Sequence, residues 1–120
     1  MLEVPVSVGE VLDKISILQI KSERITDASK LANVRKELEH LTDAARGWRS
    51  PALEDSLKIV NRHLWEIEDR LREKEKRQEF DAEFIELARA VYITNDLRAE
   101  IKRRINEITG SALVEEKSYA

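Results

Sequence analysis

Apolar residues recur along this chain at three- and four-residue intervals, in four runs that are out of phase with one another. Val8, Val11, Ile15, Leu18 and Ile25 line one face of a first predicted helix, and Ile17 and Ile20 lie on a different one, so that helix is apolar on more than one side. Leu31, Val34, Leu38, Leu41 and Ala45 form a second stripe; Leu53, Leu57, Val60, Leu64, Ile67 and Leu71 form a third. A fourth opens with Phe80, Phe84, Leu87 and Val91, meets Thr94 and Arg98, and resumes at Ile101, Ile105 and Ile108.

Local punctuation agrees with these four runs. Ser7 and Glu10 have the spacing of a reciprocal capping box, and Thr26 and Asp27 are natural caps where the phase first slips. Gly47 stops the second run, Ser50 before Pro51 opens the third, Asp81 caps the fourth with Phe80 stapled onto Ile85, and Gly110 closes it. Short connections make consecutive helices antiparallel neighbours. The expected fold is therefore all-α, an antiparallel helical bundle built from two helical hairpins, Val8 to Arg46 and Ala52 to Ile108. Residues 1–6 form a lead-in and 111–120 a tail, all within a single domain spanning 1–120.

Composition narrows the class of function. A chain of 120 residues has no room for a second independent core. With 38% charged residues, three Gly, two Pro and 5% aromatics, it does not read as a sandwich or a barrel. A formal charge of −3 excludes a chain whose main task is coating nucleic acid, and the basic run Lys102, Arg103, Arg104 is brief and flanked by Glu100 and Glu107. Without cysteine there are no disulfides, thiolate metal sites or Cys nucleophiles. Glu3 and Pro5 interrupt any leader-like start and no segment approaches a membrane span, so a cytoplasmic location is expected.

The polar interruption of the fourth stripe is the first place to look for chemistry. The simpler expectation is that Ile93, Leu97 and Ile101 carry the apolar face through the interval, leaving Thr94 and Arg98 at its edge with the guanidinium in water. The sharper one is a polar patch between the last two helices made of Asn61, Asn95, Asp96 and Arg98 with Glu66, extended by Lys102. There an Arg and a Lys one turn apart could hold a carboxylate or phosphate.

Other constellations are weaker. Glu37 and His40 have the Glu-x-x-His spacing that supplies half of a di-iron site, but only one such pair is present, so no metal and no cofactor is expected. Glu66, Glu68 and Asp69 alternate with Arg62, Arg70 and Arg72 as surface pairs do, and Lys14, Lys21 and Arg24 read as a solvated edge. Trp48 and Trp65 read as core or interface anchors, because neither has an aromatic partner nearby in sequence.

The stretches VPVSVGEVLDKISILQIKSERI, KLANVRKEL, LWEIED, FIELARAVYITND and GSALVEEKSY resemble a family of small all-helical bacterial proteins of unknown function, over nearly the whole chain. Some relatives are joined to, or stand beside, glycosyltransferases of surface-polysaccharide synthesis. The resemblance implies that pathway as a setting and carries no catalytic residues with it.

Two functions are in contention. One is a non-enzymatic interaction and oligomerisation module, accessory to polysaccharide synthesis and dimeric by preference, in which Ile17 and Ile20 offer apolar surface to another chain. The other is a small all-α enzyme or binding protein that grips a phosphorylated or carboxylated metabolite with the Arg98 patch.

Overall fold

The computed structural model describes residues 1–117; the last three positions of the tail predicted over 111–120 lie outside the described residues. Four helices follow in order: α1 Val8–Arg24, α2 Ala28–Ala44, α3 Pro51–Arg77 and α4 Ala82–Thr109. They form two hairpins, α1 with α2 and α3 with α4, as the stripes predict.

The helix starts are set locally. Ser7 accepts from the amide of Glu10 at 3.1 Å, Asp27 from Lys30 at 2.9 Å and Asp81 from Phe84 at 2.9 Å. Two details differ from the expected caps. The Glu10 carboxylate does not return to Ser7 but reaches Lys102 on α4, and the Ser50 amide is met by Glu54 Oε2 at 2.8 Å while the Ser50 side chain caps nothing. Phe80, expected to staple onto Ile85, makes an edge-on contact with Phe84, with ring centroids 5.2 Å apart.

Between α3 and α4, Gln78 ends the helix in the left-handed conformation at φ 57°, and buried Lys74 reaches across the turn to both Asp81 oxygens at 3.0 Å and to Glu79 and Glu83 at 3.6 Å. The turn is thus clamped by one cation against three carboxylates.

Helix α1 packs against all three other helices, whereas α2 runs alongside α1 alone among the described residues. This accounts for the two-sided apolar pattern of α1. One side meets the α2 stripe and the other faces the α3/α4 hairpin. Ile20 is 1% exposed inside the chain's own core and Ile17 is half-buried, so the apolar surface expected at these two residues is largely used up internally.

The core centres on Leu12, Ile15, Ala45, Leu57 and Ile105, flanked by Val8, Val11, Leu38, Leu41, Leu53 and Ile101. Each of its large aliphatic side chains contributes about 1.5–3 kcal/mol by burial. No residue of α2 itself is fully buried. The radius of gyration is 16.0 Å, against roughly 13.6 Å for a compact chain of this length, which fits a helix attached along a single side. Among the described residues no helix is long and apolar enough to cross a membrane.

Candidate functional site

Three helices meet at a polar seam on the inner face of α1. Gly9, Asp13, Ser16 and Ile20 recur at helical spacing there, between the two apolar flanks, and Asp13 has no exposed surface at all. A buried carboxylate survives only with partners, and Asp13 has several. Its Oδ1 accepts from Asn61 Nδ2 of α3 at 2.9 Å and from Arg98 Nε of α4 at 3.0 Å; its Oδ2 accepts from Arg98 Nε at 3.0 Å and from Nη2. The second hydrogen of Asn61 Nδ2 goes to Ser16 Oγ at 2.6 Å, and Ser16 in turn donates to the Asp13 carbonyl at 2.8 Å.

One turn further along α4, Lys102 Nζ donates to Glu10 Oε2 at 2.8 Å and to Glu115 Oε2 of the tail at 2.9 Å, with Asp13 Oδ2 at 3.9 Å. Arg103 pairs with Glu116 at 2.7 Å, so two successive tail carboxylates sit on two successive cations.

The same seam fastens the first turn of α1. The Gly9 amide donates to Asn106 Oδ1 at 2.7 Å and the Val8 amide to Ser111 Oγ at 3.1 Å, so helix-end donors that lack intrahelical partners are met by the far end of α4 and the tail. Gly9 permits the approach, since a Cβ there would lie 2.6 Å from the Lys102 carbonyl oxygen.

Electrostatics follow from these contacts. The bidentate bond to Asp13 raises the pKa of Arg98 above its ordinary value against the cost of burial. For Lys102 burial is the largest influence and pushes down, but the bonds to Glu10 and Glu115 outweigh it and the net shift is upward. Glu115 is lowered, chiefly by its bond to Lys102. Three carboxylates, Glu10, Asp13 and Glu115, face two cations, and no buried side-chain polar atom among the described residues lacks a partner. The seam is electrically closed. It can fix helix positions; an incoming anion would first have to displace a carboxylate.

The predicted site residues divide accordingly. Asn61, Arg98 and Lys102 come together, but around α1 rather than in a patch confined to the last two helices. Asn95 is half-buried and takes no part. Asp96 points outward, 3.9 Å from Lys117 Nζ, and Glu66 lies on the surface 3.4 Å from Arg24.

The simpler expectation for the stripe is overturned. Thr94 is buried and Arg98 is bonded into the seam, while Ile93 and Leu97 are about half exposed, because α1 approaches α4 on the Thr94 side. Asp13 is the central residue missed, and Ser16, Asn106 and Glu115 were missed with it. The signal for Asp13 was the small and polar row Gly9, Asp13, Ser16 within a helix apolar on both flanks.

Elsewhere, Arg24 lies 5.9 Å over the ring of Trp65, and Trp48 is nearly half exposed. An open groove of about 640 Å³ between α3 and α4 is lined by His63, Glu66, Arg70, Glu83, Glu86 and Ala90, with Arg70 already paired to Glu83. Glu37 and His40 are exposed on α2. Among the described residues no three His, Asp or Glu side chains are placed to share a metal ion.

Residues 2–120 match the model of a family of unknown function, DUF6165. The chain belongs to that family. No curated protein and no solved structure matches it. Because the DUF6165 match spans both the α1 row and the Arg98 turn, the whole seam lies inside the region that defines membership.

Proposed function

We propose that this chain is a cytoplasmic, non-enzymatic helical interaction module that self-associates, with the dimer as its preferred state, and serves as an accessory to cell-surface polysaccharide synthesis. One observation carries the reading. The chain has 8419 Å² of accessible surface, whereas a folded monomer of 13.9 kDa has roughly 6,700 Å² by the size scaling of compact proteins. The surplus exceeds the roughly 800 Å² that each partner contributes to a standard interface. Part of it is the N-terminal lead-in, where Met1, Leu2 and Val4 are exposed; part is large aliphatic and aromatic surface on α4. The polysaccharide setting comes from the resemblance to proteins found with glycosyltransferases.

The rival reading, a metabolite site at Asn95, Arg98 and Lys102, has less behind it, since both cations are already neutralised by the chain's own carboxylates. Sedimentation equilibrium across the micromolar range tests the module: a concentration-dependent dimer is expected, and a strict monomer at high micromolar concentration sinks it. A thermal-shift panel of sugar nucleotides and dicarboxylates tests the rival, which would gain if a ligand stabilised the wild type but not Arg98→Ala.

A further inference from the structure

The outer face of α4, directed away from α1 and α3, carries four large apolar side chains between residues 85 and 97. Ile85 is 57% exposed, Tyr92 54%, Ile93 49% and Leu97 51%. Such a row is unusual on a helix whose other side already supplies the buried Leu87, Thr94, Lys102 and Ile105. Two opposite charges sit in the middle of it. Arg89 and Asp96 are both exposed and seven residues apart, close to two full turns, so they lie on nearly the same line along the helix, one on each side of Tyr92 and Ile93.

We propose that this face is a self-complementary docking surface for a second copy of the chain, packed antiparallel, α4 on α4, about a two-fold axis that passes between Tyr92 and Ile93. The inference rests on the reading of the chain as a self-associating module and names its surface, partner and symmetry. Charge selects the arrangement. In an antiparallel pair centred there, Arg89 of each copy stands opposite Asp96 of the other and Tyr92 opposite Ile93. A parallel pair would set Arg89 on Arg89 and Asp96 on Asp96, and like charges across a helix seam disfavour that register. Asp96 now faces Lys117 at 3.9 Å, a long contact with its side chain two-thirds exposed, which leaves it room to take Arg89 of the second copy. Ile85, Tyr92, Ile93 and Leu97 then lose to the interface the apolar surface that they expose among the described residues.

The chain contains no cysteine, so single-cysteine variants give clean cross-links. Ile93→Cys lies next to the axis and should form a disulfide dimer under mild oxidation. Ile85→Cys should not, because in this register its two copies stand about 22 Å apart along the helix axis at 1.5 Å per residue. In sedimentation velocity, Ile93→Asp should weaken the dimer at least about tenfold, as loss of a central interface contact does. Arg89→Glu should weaken it too, and Arg89→Glu with Asp96→Lys should restore it. Far-UV circular dichroism checks that each variant remains helical, and Ile93→Ala replaces Ile93→Asp if the latter unfolds.

The outcomes separate the two levels. A wild-type monomer at high micromolar concentration overturns both the module and this surface. A wild-type dimer that survives Ile93→Asp or Ile93→Ala, or cross-links through Ile85→Cys, overturns the surface and register while leaving self-association standing.

Discussion

At the scale of single residues, Asp13 is the residue on which the seam turns. It is fully buried, and its partners come from two other helices, Asn61 from α3 and Arg98 from α4. Removing one member of such a pair leaves the other uncompensated, which is more costly than losing the pair together. Arg98→Ala strands a buried carboxylate and should lower the unfolding free energy by about 3–5 kcal/mol in urea titration. Asp13→Ala leaves Arg98, which reaches solvent, and should cost less, about 3 kcal/mol. The double variant should fall short of the sum of the singles by about 1–3 kcal/mol, the mark of direct coupling. Strict additivity would count against the clamp and in favour of an Arg98 held ready for a ligand.

Gly9 belongs to the same seam through its backbone. Adding a Cβ removes some flexibility from the unfolded chain and favours helix, but the new carbon meets a main-chain oxygen at 2.6 Å that cannot swing aside as a long side chain would. Overpacking wins, and Gly9→Ala should destabilise by about 1–3 kcal/mol in the same titration.

At the scale of elements, what could be read from the sequence was what is decided locally. Caps at Ser7, Asp27 and Asp81 use side chains three residues from their amides, and the stripes recur every three or four residues, so helix number, boundaries and hairpin pairing were all legible. Facing was not. Whether Thr94 or Ile93 lies inward depends on where α1 docks, a contact 85 residues away along the chain in the case of Asp13 and Arg98. For the same reason the apolar excess of α1 read as free surface, when its second side is the place where the other hairpin packs.

The position of α2 has a dynamic consequence. Having no fully buried residue and running alongside α1 alone among the described residues, α2 can detach while the rest of the core stays formed. Native-state hydrogen exchange should find the amides of Ala28–Ala44 opening at a lower free energy than those in the middle of α1, α3 or α4. Equal protection across the four helices would mean that the chain unfolds only as a whole, or that α2 gains a partner in an assembly.

At the scale of the whole molecule, charge both closes the interior and ties down the ends. The tail is held by Glu115 on Lys102 and Glu116 on Arg103, and the turns by Asp27 and Asp81. The carboxyl pKa values of Asp27, Asp81, Glu23 and Glu115 are all lowered: for Asp27 and Asp81 first by backbone amides, for Glu23 first by Lys58, for Glu115 first by Lys102. A carboxylate whose folded pKa is depressed adds stability that is fully present above its unfolded pKa and is lost as the pH falls through the folded one.

Lys102 works in the opposite direction. Its folded pKa is raised, so its contribution is complete below the ordinary lysine range and is lost as the pH rises through the shifted value. Stability should therefore be nearly level around neutrality, fall through and below the ordinary carboxylate range, and fall again in strong alkali. Thermal melts across pH measure the envelope, and Glu115→Gln isolates the tail. Its neutral amide can still accept from Lys102, yet it no longer titrates, so the variant should lose stability at pH 7 and show a shallower acid decline than the wild type. An acid profile identical to that of the wild type would show that the tail contact carries no stability linked to protonation and that the caps and the Glu23 ion pairs set the acid limit.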